Sequence, residues 1–304
     1  MKFRLVALFI FFTLLILFYP GESYFFTFFQ KNKQVIEEKP VPQHVEIREV
    51  PSVLNNYPLE LTAQGVYILD LPTYTPIYEK NIHQSLFPAS TTKIITALVA
   101  NDLYGPDDVI TVKKIMPEGQ VMGLVEGERI TVENLLYAIL VHSANDAAFA
   151  LADSYGYDRY IKLMNEKALS LGMKDSHFRN PAGLDDPAQV TTPFDLALAS
   201  RELLKHPNLA RIVSIKEIII SDVDFKLFHT LSNVNKLLGE TQGIGGLKTG
   251  YTDKAGENLV SFYKNNGHQF LIVILKSDDR FADTKNVVKW LNENVIYTNV
   301  SLSK

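Results

Sequence analysis

The spacing of apolar residues divides the chain into three stretches. Residues 5–19 are apolar at every position but Thr13, a continuous run with no amphipathic period. As a helix it rises about 22 Å, short of the ~30 Å hydrocarbon core of a bilayer. Lys2 and Arg4 precede it, the charge order that keeps an N-terminus in the cytoplasm and sends the rest across. Tyr24, Phe25, Phe26, Phe28 and Phe29 form a second apolar cluster before Lys31 and Lys33. Residues 1–33 therefore read as an export segment: either an uncleaved signal-anchor, or a signal peptide whose one weak cleavage candidate is Gly21-Glu22-Ser23. Residues 34–58 mix charges with Pro40, Pro42, Pro51 and Pro58. Proline removes backbone donors and fixes φ, so this stretch reads as an extended tether.

Residues 59–304 alternate between strand and helix periods without an internal repeat. Val66-Tyr67-Ile68-Leu69 and Ile77-Tyr78 flank a turn-like Pro72–Pro76 segment and predict a hairpin. Pro88-Ala89 leads into a buried helix running from Ser90 through Val99. A second helix opens at Ile130-Thr131-Val132-Glu133, passes Leu135, Leu136, Ile139 and Leu140, and ends at Ser143-Ala144-Asn145. Further helices are predicted at 157–171 and 193–204, strands at 216–221, 246–250, 258–263 and 270–275, and a closing helix at 281–294. Val288, Leu291 and Val295 share one face of that last helix with Trp290 beside them. Its mixed charges (Lys285, Lys289, Asp283, Glu293) predict a cover for the sheet rather than a membrane-surface helix. Strands near both ends and helices between them predict one α/β (α+β) domain, an antiparallel sheet built from both termini and covered by helices.

Composition narrows the chemistry. The 304 residues include no cysteine, which excludes disulfides, a thiolate nucleophile and cysteine-bound zinc. Residues 34–304 carry 26 basic and 33 acidic side chains, a net charge of −7, which excludes nucleic acid as a partner because phosphates demand a basic face. The seven histidines lie at least 23 positions apart, so no metal spacing exists and neither metal nor cofactor is expected. Structural or surface roles are expected for them; His142, next to Ser143, is the one within reach of a cleft. Gly243-Ile244-Gly245-Gly246-Leu247-Lys248-Thr249 superficially suggests a phosphate loop, but Leu247 occupies the glycine position before the lysine.

Three short motifs stand in order: Ser90-Thr91-Thr92-Lys93, Ser143-Ala144-Asn145 and Lys248-Thr249-Gly250. Each is weak alone, and a second Ser-x-x-Lys occurs at Ser301–Lys304. Their order and setting make the set specific. A serine hydroxyl needs a base in contact, and residues three apart share a helix face, so Lys93 reaches Ser90. An amine acts as a base only when neutral, which requires burial or a nearby like charge. Lys248 supplies such a charge while binding an anionic substrate terminus. Backbone N–H groups at a helix start, with one from the strand after Gly250, supply donors for an oxyanion. The constellation is a serine acyl-transfer site without histidine.

With its flanks, the set resembles the low-molecular-mass penicillin-binding proteins, the serine-type D-Ala-D-Ala carboxypeptidases of peptidase family S11. The resemblance rests on Phe87-Pro88-Ala89-Ser90-Thr91-Thr92-Lys93-Ile94-Ile95-Thr96-Ala97-Leu98, on Leu135–Leu140 before Ser143-Ala144-Asn145-Asp146-Ala147-Ala148, on Leu171-Gly172-Met173 through Asn180-Pro181-Ala182-Gly183-Leu184, and on Gly246-Leu247-Lys248-Thr249-Gly250-Tyr251-Thr252. It implies a β-lactamase/transpeptidase-like fold, an antiparallel sheet covered by helices on both faces with a helical subdomain. It also implies roles. Ser90 attacks the penultimate D-Ala carbonyl of a peptidoglycan stem peptide and Lys93 takes its proton. Ser143 relays a proton to the departing amine, and Asn145 bonds the peptide backbone. Lys248 and Thr249 bind the terminal carboxylate, and the N–H groups of Ser90 and Tyr251, the latter following Gly250, form the oxyanion hole. β-Lactams are then covalent inhibitors, and the enzyme works in the bacterial envelope, outside the cytoplasm, held to the membrane by residues 1–33.

Three neighbouring activities share these features. A D,D-endopeptidase acting on cross-links uses identical chemistry and differs only in cleft shape. A class A β-lactamase adds a Glu-x-x-Leu-Asn segment, which is missing between Ser143 and Lys248. A non-catalytic cell-wall-binding protein would be expected to have lost the serine or a lysine, and all are present. The chain departs from the family pattern at Val234, where some members carry a basic residue between two asparagines, and at Gly245, where an acidic residue is frequent.

Overall fold

The computed structural model describes residues 2–17, 49–54 and 58–298, in two units that divide after Ile47. The first contains helix α1 (Lys2–Leu17), whose side chains from Phe3 to Ile16 are all exposed. Among the described residues no helix is long and apolar enough to cross a membrane. The remainder of the expected export segment, residues 18–33, and of the expected tether, residues 34–48 and 55–57, lies outside the described residues.

The second unit begins in what reads as tether. Strand β1 (Val50–Val53) pairs antiparallel with the last element, so the extended backbone favoured by Pro51 serves there as an edge strand. Next come β2 (Gly65–Asp70) and β3 (Pro76–Lys80), the predicted hairpin. A 3₁₀ turn (Ala89–Thr92) opens α2 (Lys93–Leu103), and the short strands β4 (Val109–Thr111) and β5 (Arg129–Thr131) pair around a loop. The helical part continues with α3 (Val132–Leu140), α4 (Asn145–Tyr155), α5 (Tyr157–Ser170), α6 (Pro193–Lys205) and α7 (Pro207–Val213). A hairpin, β6 (Glu217–Ser221) and β7 (Phe228–Ser232), precedes the long strands β8 (Ile244–Thr252), β9 (Gly256–Asn265) and β10 (His268–Ser277). Helix α8 (Arg280–Asn294) and strand β11 (Val295–Thr298), the partner of β1, complete the described chain.

The main sheet has five strands in the order β3-β2-β10-β9-β8, all antiparallel. Strand alternation places its two faces in different cores. Val66 and Ile68 on β2, with Ile272 and Ile274 on β10, pack with Val287, Trp290 and Leu291 of α8. Tyr67, Leu69, Leu271, Val273 and Leu275 face the other way, into the core shared with α2 through α7. Both faces are covered, as the resemblance implies. Local signals set the helix starts. Thr131 caps α3 and Thr192 caps α6 by accepting from the N–H three residues on, and Asp279 caps α8 by accepting from Phe281 and Ala282, each contributing about 1 kcal/mol. Asp283, buried on α8, accepts from the Thr62 and Ala63 N–H groups and from the Thr62 and Ser277 hydroxyls, locking the start of the domain to the end of the sheet.

Three expectations change. Ser143-Ala144-Asn145 does not end a helix: α3 stops at Leu140, Ser143 turns the chain at φ 64°, and Asn145 begins α4. The strand near 216–221 belongs to the separate β6–β7 hairpin, because its register pairs only with β7. A strand, β11, follows the final helix.

Candidate active site

The three motifs meet at the β8 edge of the main sheet. Ser90 lies in the 3₁₀ turn, after Ala89 in the left-handed conformation (φ 47°). Such a conformation persists for a non-glycine residue only where its surroundings impose it. Here Asn258 of β9 donates to both the Phe87 and Pro88 carbonyls (2.9 and 3.0 Å), and the Thr91 hydroxyl donates to Pro88 at 2.6 Å. Gly250 lets β8 approach this turn. A Cβ there would lie 3.0 Å from the Ser90 nitrogen and from the Ala89 Cβ, and 3.1 Å from the Pro88 oxygen.

Lys93 is fully buried. Its Nζ lies 2.8 Å from Ser90 Oγ, 2.7 Å from Asn145 Oδ1 and 2.7 Å from the Ala182 carbonyl. The last two atoms only accept, because the Asn145 amide is oriented by its own Nδ2 donating to the Glu118 carbonyl at 2.7 Å. A neutral amine has two N–H bonds and one lone pair. With both N–H bonds given to obligate acceptors, the lone pair faces the Ser90 hydroxyl. Burial, and then the charge of Lys248, push this amine well below an ordinary lysine, with Asp146 opposing. The Ala182 carbonyl is delivered by the loop between α5 and α6, which is wound around Asn180: its Oδ1 accepts from the N–H groups of Ala182, Gly183 and Leu184. That gives a physical reason for the Asn180–Leu184 sequence.

Lys248, 2% exposed, donates to Ser143 Oγ and to the Thr249 carbonyl, both at 2.9 Å. Burial, with the Arg280 guanidinium nearby, brings it down to about 7. The cleft, about 320 Å³, is lined by Ser90, Gly119, Gln120, Ser143, Val234, Thr249, Gly250, Tyr251 and Arg280. Larger hollows of about 490 and 480 Å³ elsewhere contain none of the motif residues. β8 is an edge strand, with β9 on one side and no strand of the main sheet on the other. The loop above the cleft is fixed from α4: the Gln120 carbonyl accepts from Asn145 N–H at 2.7 Å, and the Asp146 carboxylate accepts from Met122, Gly123 and Leu124.

All eight residues expected from the sequence therefore converge. Of the two departures, Val234 lines the cleft, and Gly245 lies outside it, against Phe262. Sequence reasoning missed Arg280 and Asn258. Arg280 opens α8, donates to the Gly250 carbonyl at 2.8 Å and brings a guanidinium to the cleft. Nothing local marks it, since a helix-initial arginine becomes visible as part of a site only when β10 returns it to β8. Asn258 reads as one polar residue in an apolar strand; being fully buried there, it needed partners.

The pattern that defines the D-alanyl-D-alanine carboxypeptidase family, peptidase family S11, matches residues 52–279. The chain is 31% identical over 257 residues to the D-alanyl-D-alanine carboxypeptidase DacD of Escherichia coli K12, covering 78% of this chain and 65% of that one. It is 29% identical over 239 residues to the D-alanyl-D-alanine carboxypeptidase DacF of Bacillus subtilis 168, covering 76% and 61%. It thus spans less than two thirds of the length of these relatives. Its fold is similar to that of penicillin-binding protein D2 from Listeria monocytogenes in the ampicillin-bound form, with a TM-score of 0.68 and 28% identity across 77% of this chain and 99% of that one. With all three motifs inside the matched region, the chain belongs to the D-alanyl-D-alanine carboxypeptidase family.

Proposed function

We propose that the protein is a serine D,D-carboxypeptidase of the bacterial cell envelope that removes the terminal D-Ala from peptidoglycan stem peptides. The observation that carries this reading is the set of contacts at Lys93 Nζ, in which two fixed acceptors leave a lone pair for the Ser90 hydroxyl. Ser90 Oγ attacks the penultimate D-Ala carbonyl carbon as its proton passes to Lys93, and the N–H groups of Ser90 and Tyr251 hold the oxyanion. The C–N bond then breaks. The leaving amine takes the proton that Lys93 accepted, relayed through the Ser143 hydroxyl, which Lys248 holds by a hydrogen bond, so Lys93 is neutral again. Water hydrolyses the acyl-enzyme with Lys93 again as base, returning the proton to Ser90.

Lys248, Thr249 and Arg280 hold the terminal carboxylate. Asn145 keeps a second amide hydrogen for a substrate carbonyl, since only one is spent on Glu118. The ampicillin-bound relative supports β-lactams as acylating inhibitors. Residues 1–33 take the export and membrane-attachment role, supported by the apolar run of α1.

The test is covalent labelling of the purified full chain with a fluorescent penicillin, alongside D-Ala release from a pentapeptide ending in D-Ala-D-Ala. Both are expected for the natural sequence and neither for Ser90→Ala. Equal labelling of the variant would overturn the nucleophile.

A further inference from the structure

His142 is spent on neither the core nor the acyl-transfer machinery, yet its ring links a residue that lines the cleft, Gln120, to Ser232. Ser143, at φ 64°, turns the backbone so that consecutive side chains diverge, Ser143 toward Lys248 and His142 toward the rim. The His142 Nδ1 faces the Ser232 carbonyl at 3.3 Å, and Nε2 faces the Gln120 side-chain amide at 2.8 Å. A carbonyl only accepts, so Nδ1 carries the proton, and Nε2 accepts from the Gln120 amide N–H. The result is a continuous chain, Gln120–His142–Ser232. It joins the loop that carries Gln120 to the end of β7, two residues before Val234.

Its position along the cleft gives it a meaning. Two residues after Ser232, Val234 lines the cleft, and its N–H donates to the Val141 carbonyl at 3.2 Å. This wall stands beside Ser143 and Lys248, the end at which the terminal carboxylate and the departing amine are held. The tie therefore holds together two segments, those of Gln120 and Val234, that line the cleft beside Ser143.

A carboxypeptidase and a cross-link endopeptidase break the same kind of bond and differ in what leaves. The first releases a free D-amino acid with a methyl side chain. The second releases a D-centre whose side chain continues into another stem peptide. Resting on the peptidase reading above, we propose that the Gln120–His142–Ser232 tie restricts this enzyme to a small terminal D-amino acid as leaving group, and that His142 is its positioning residue.

The test compares the full chain with His142→Ala and His142→Gln on two substrates, the D-Ala-D-Ala pentapeptide and a cross-linked muropeptide dimer. His142→Ala removes both hydrogen bonds, whereas the glutamine restores an acceptor for Gln120. The expected result is no dimer cleavage by the natural sequence, and a rise of about tenfold or more in the dimer-to-pentapeptide kcat/KM ratio for His142→Ala. Reversion of that ratio in His142→Gln is expected, with penicillin acylation rates within about threefold throughout. Acylation serves as the fold control, since a structural collapse lowers it and a change of leaving-group specificity does not. An unchanged ratio in His142→Ala with normal acylation overturns the tie alone. Efficient dimer cleavage by the natural sequence also overturns it. Absence of any Ser90 adduct sinks the peptidase reading and the tie with it.

Discussion

On the proposed function, two buried lysines in one cleft face opposite requirements. Lys93 would serve as a base only while neutral, and Lys248 would attract a carboxylate only while charged. Burial favours the neutral form of both. With the Lys248 pKa at about 7, its charge is present below pH 7 and fades above it. The expected outcome is a KM for a D-Ala-D-Ala peptide that rises as pH increases through 7, with net proton uptake on binding in that range; steady-state kinetics from pH 6 to 9 in constant ionic strength measure the first. The same shift has a stability side. An amine whose pKa falls from 10.5 to about 7 on folding binds fewer protons native than unfolded between those values. Its burial therefore opposes folding most below pH 7, and the opposition fades as pH rises toward 10.5. The cost is on the order of 5 kcal/mol, so Lys248→Met is expected to abolish substrate binding yet raise Tm by several degrees at pH 6, with little gain at pH 10, as followed by circular dichroism. The identities of these residues are legible in the sequence because the three motifs stand in order, each in a recognisable setting. Their protonation states are not, since they depend on Ala182, Asn145 and Arg280, brought in from distant parts of the chain.

Elements determine how closely the motifs approach. Gly250→Ala places a methyl 3.0 Å from the Ser90 nitrogen, so β8 or the nucleophile turn must shift by a few tenths of an ångström. Penicillin acylation is expected to slow by about tenfold or more while the thermal transition moves little, because the edge strand has room to relax outward. By contrast, Asp279→Ala removes the cap of α8 and is expected to cost about 1 kcal/mol in urea unfolding, with a smaller effect on acylation felt through Arg280, the next residue. Periodicity located most of these elements within a residue or two, notably α5, α6, β9 and β10. It failed where the backbone departs from regular periods. The helix that reads as ending at Ser143-Ala144-Asn145 stops at Leu140, Ser143 turns the chain at positive φ, and α4, which the apolar pattern does not announce, begins at Asn145. The hairpin β6–β7 has ordinary strand spacing; only its register shows that it stands apart from the main sheet.

At the scale of the whole molecule, the sheet joins β2 and β3 to strands nearly two hundred residues later, and β1 pairs with β11 outside it. Tyr297 adds a hydrogen bond to Asp70 at 2.6 Å. Removing residues 295–304 breaks this closure without touching the cleft, so Tm is expected to fall by several degrees while penicillin acylation at 20 °C stays within about twofold. The sequence announces a sheet made from both ends and covered by helices; the β1–β11 pair escapes it because a proline-rich stretch reads as unstructured until a partner strand is present. The loop at Ala182 carries a different kind of message. One of the three atoms bonded to Lys93 Nζ is a main-chain oxygen, which no substitution at position 182 deletes. Its placement depends instead on Asn180 and on Gly183, which holds φ 90° and would set a Cβ 1.8 Å from the Ala89 oxygen. Gene copies drifting toward inactivity thus have a route that leaves every motif intact: a changed Asn180, a bulkier Gly183 or a single-residue indel in that loop. Sorting live enzymes from decayed ones among such copies requires reading residues 180–183 as carefully as Ser90.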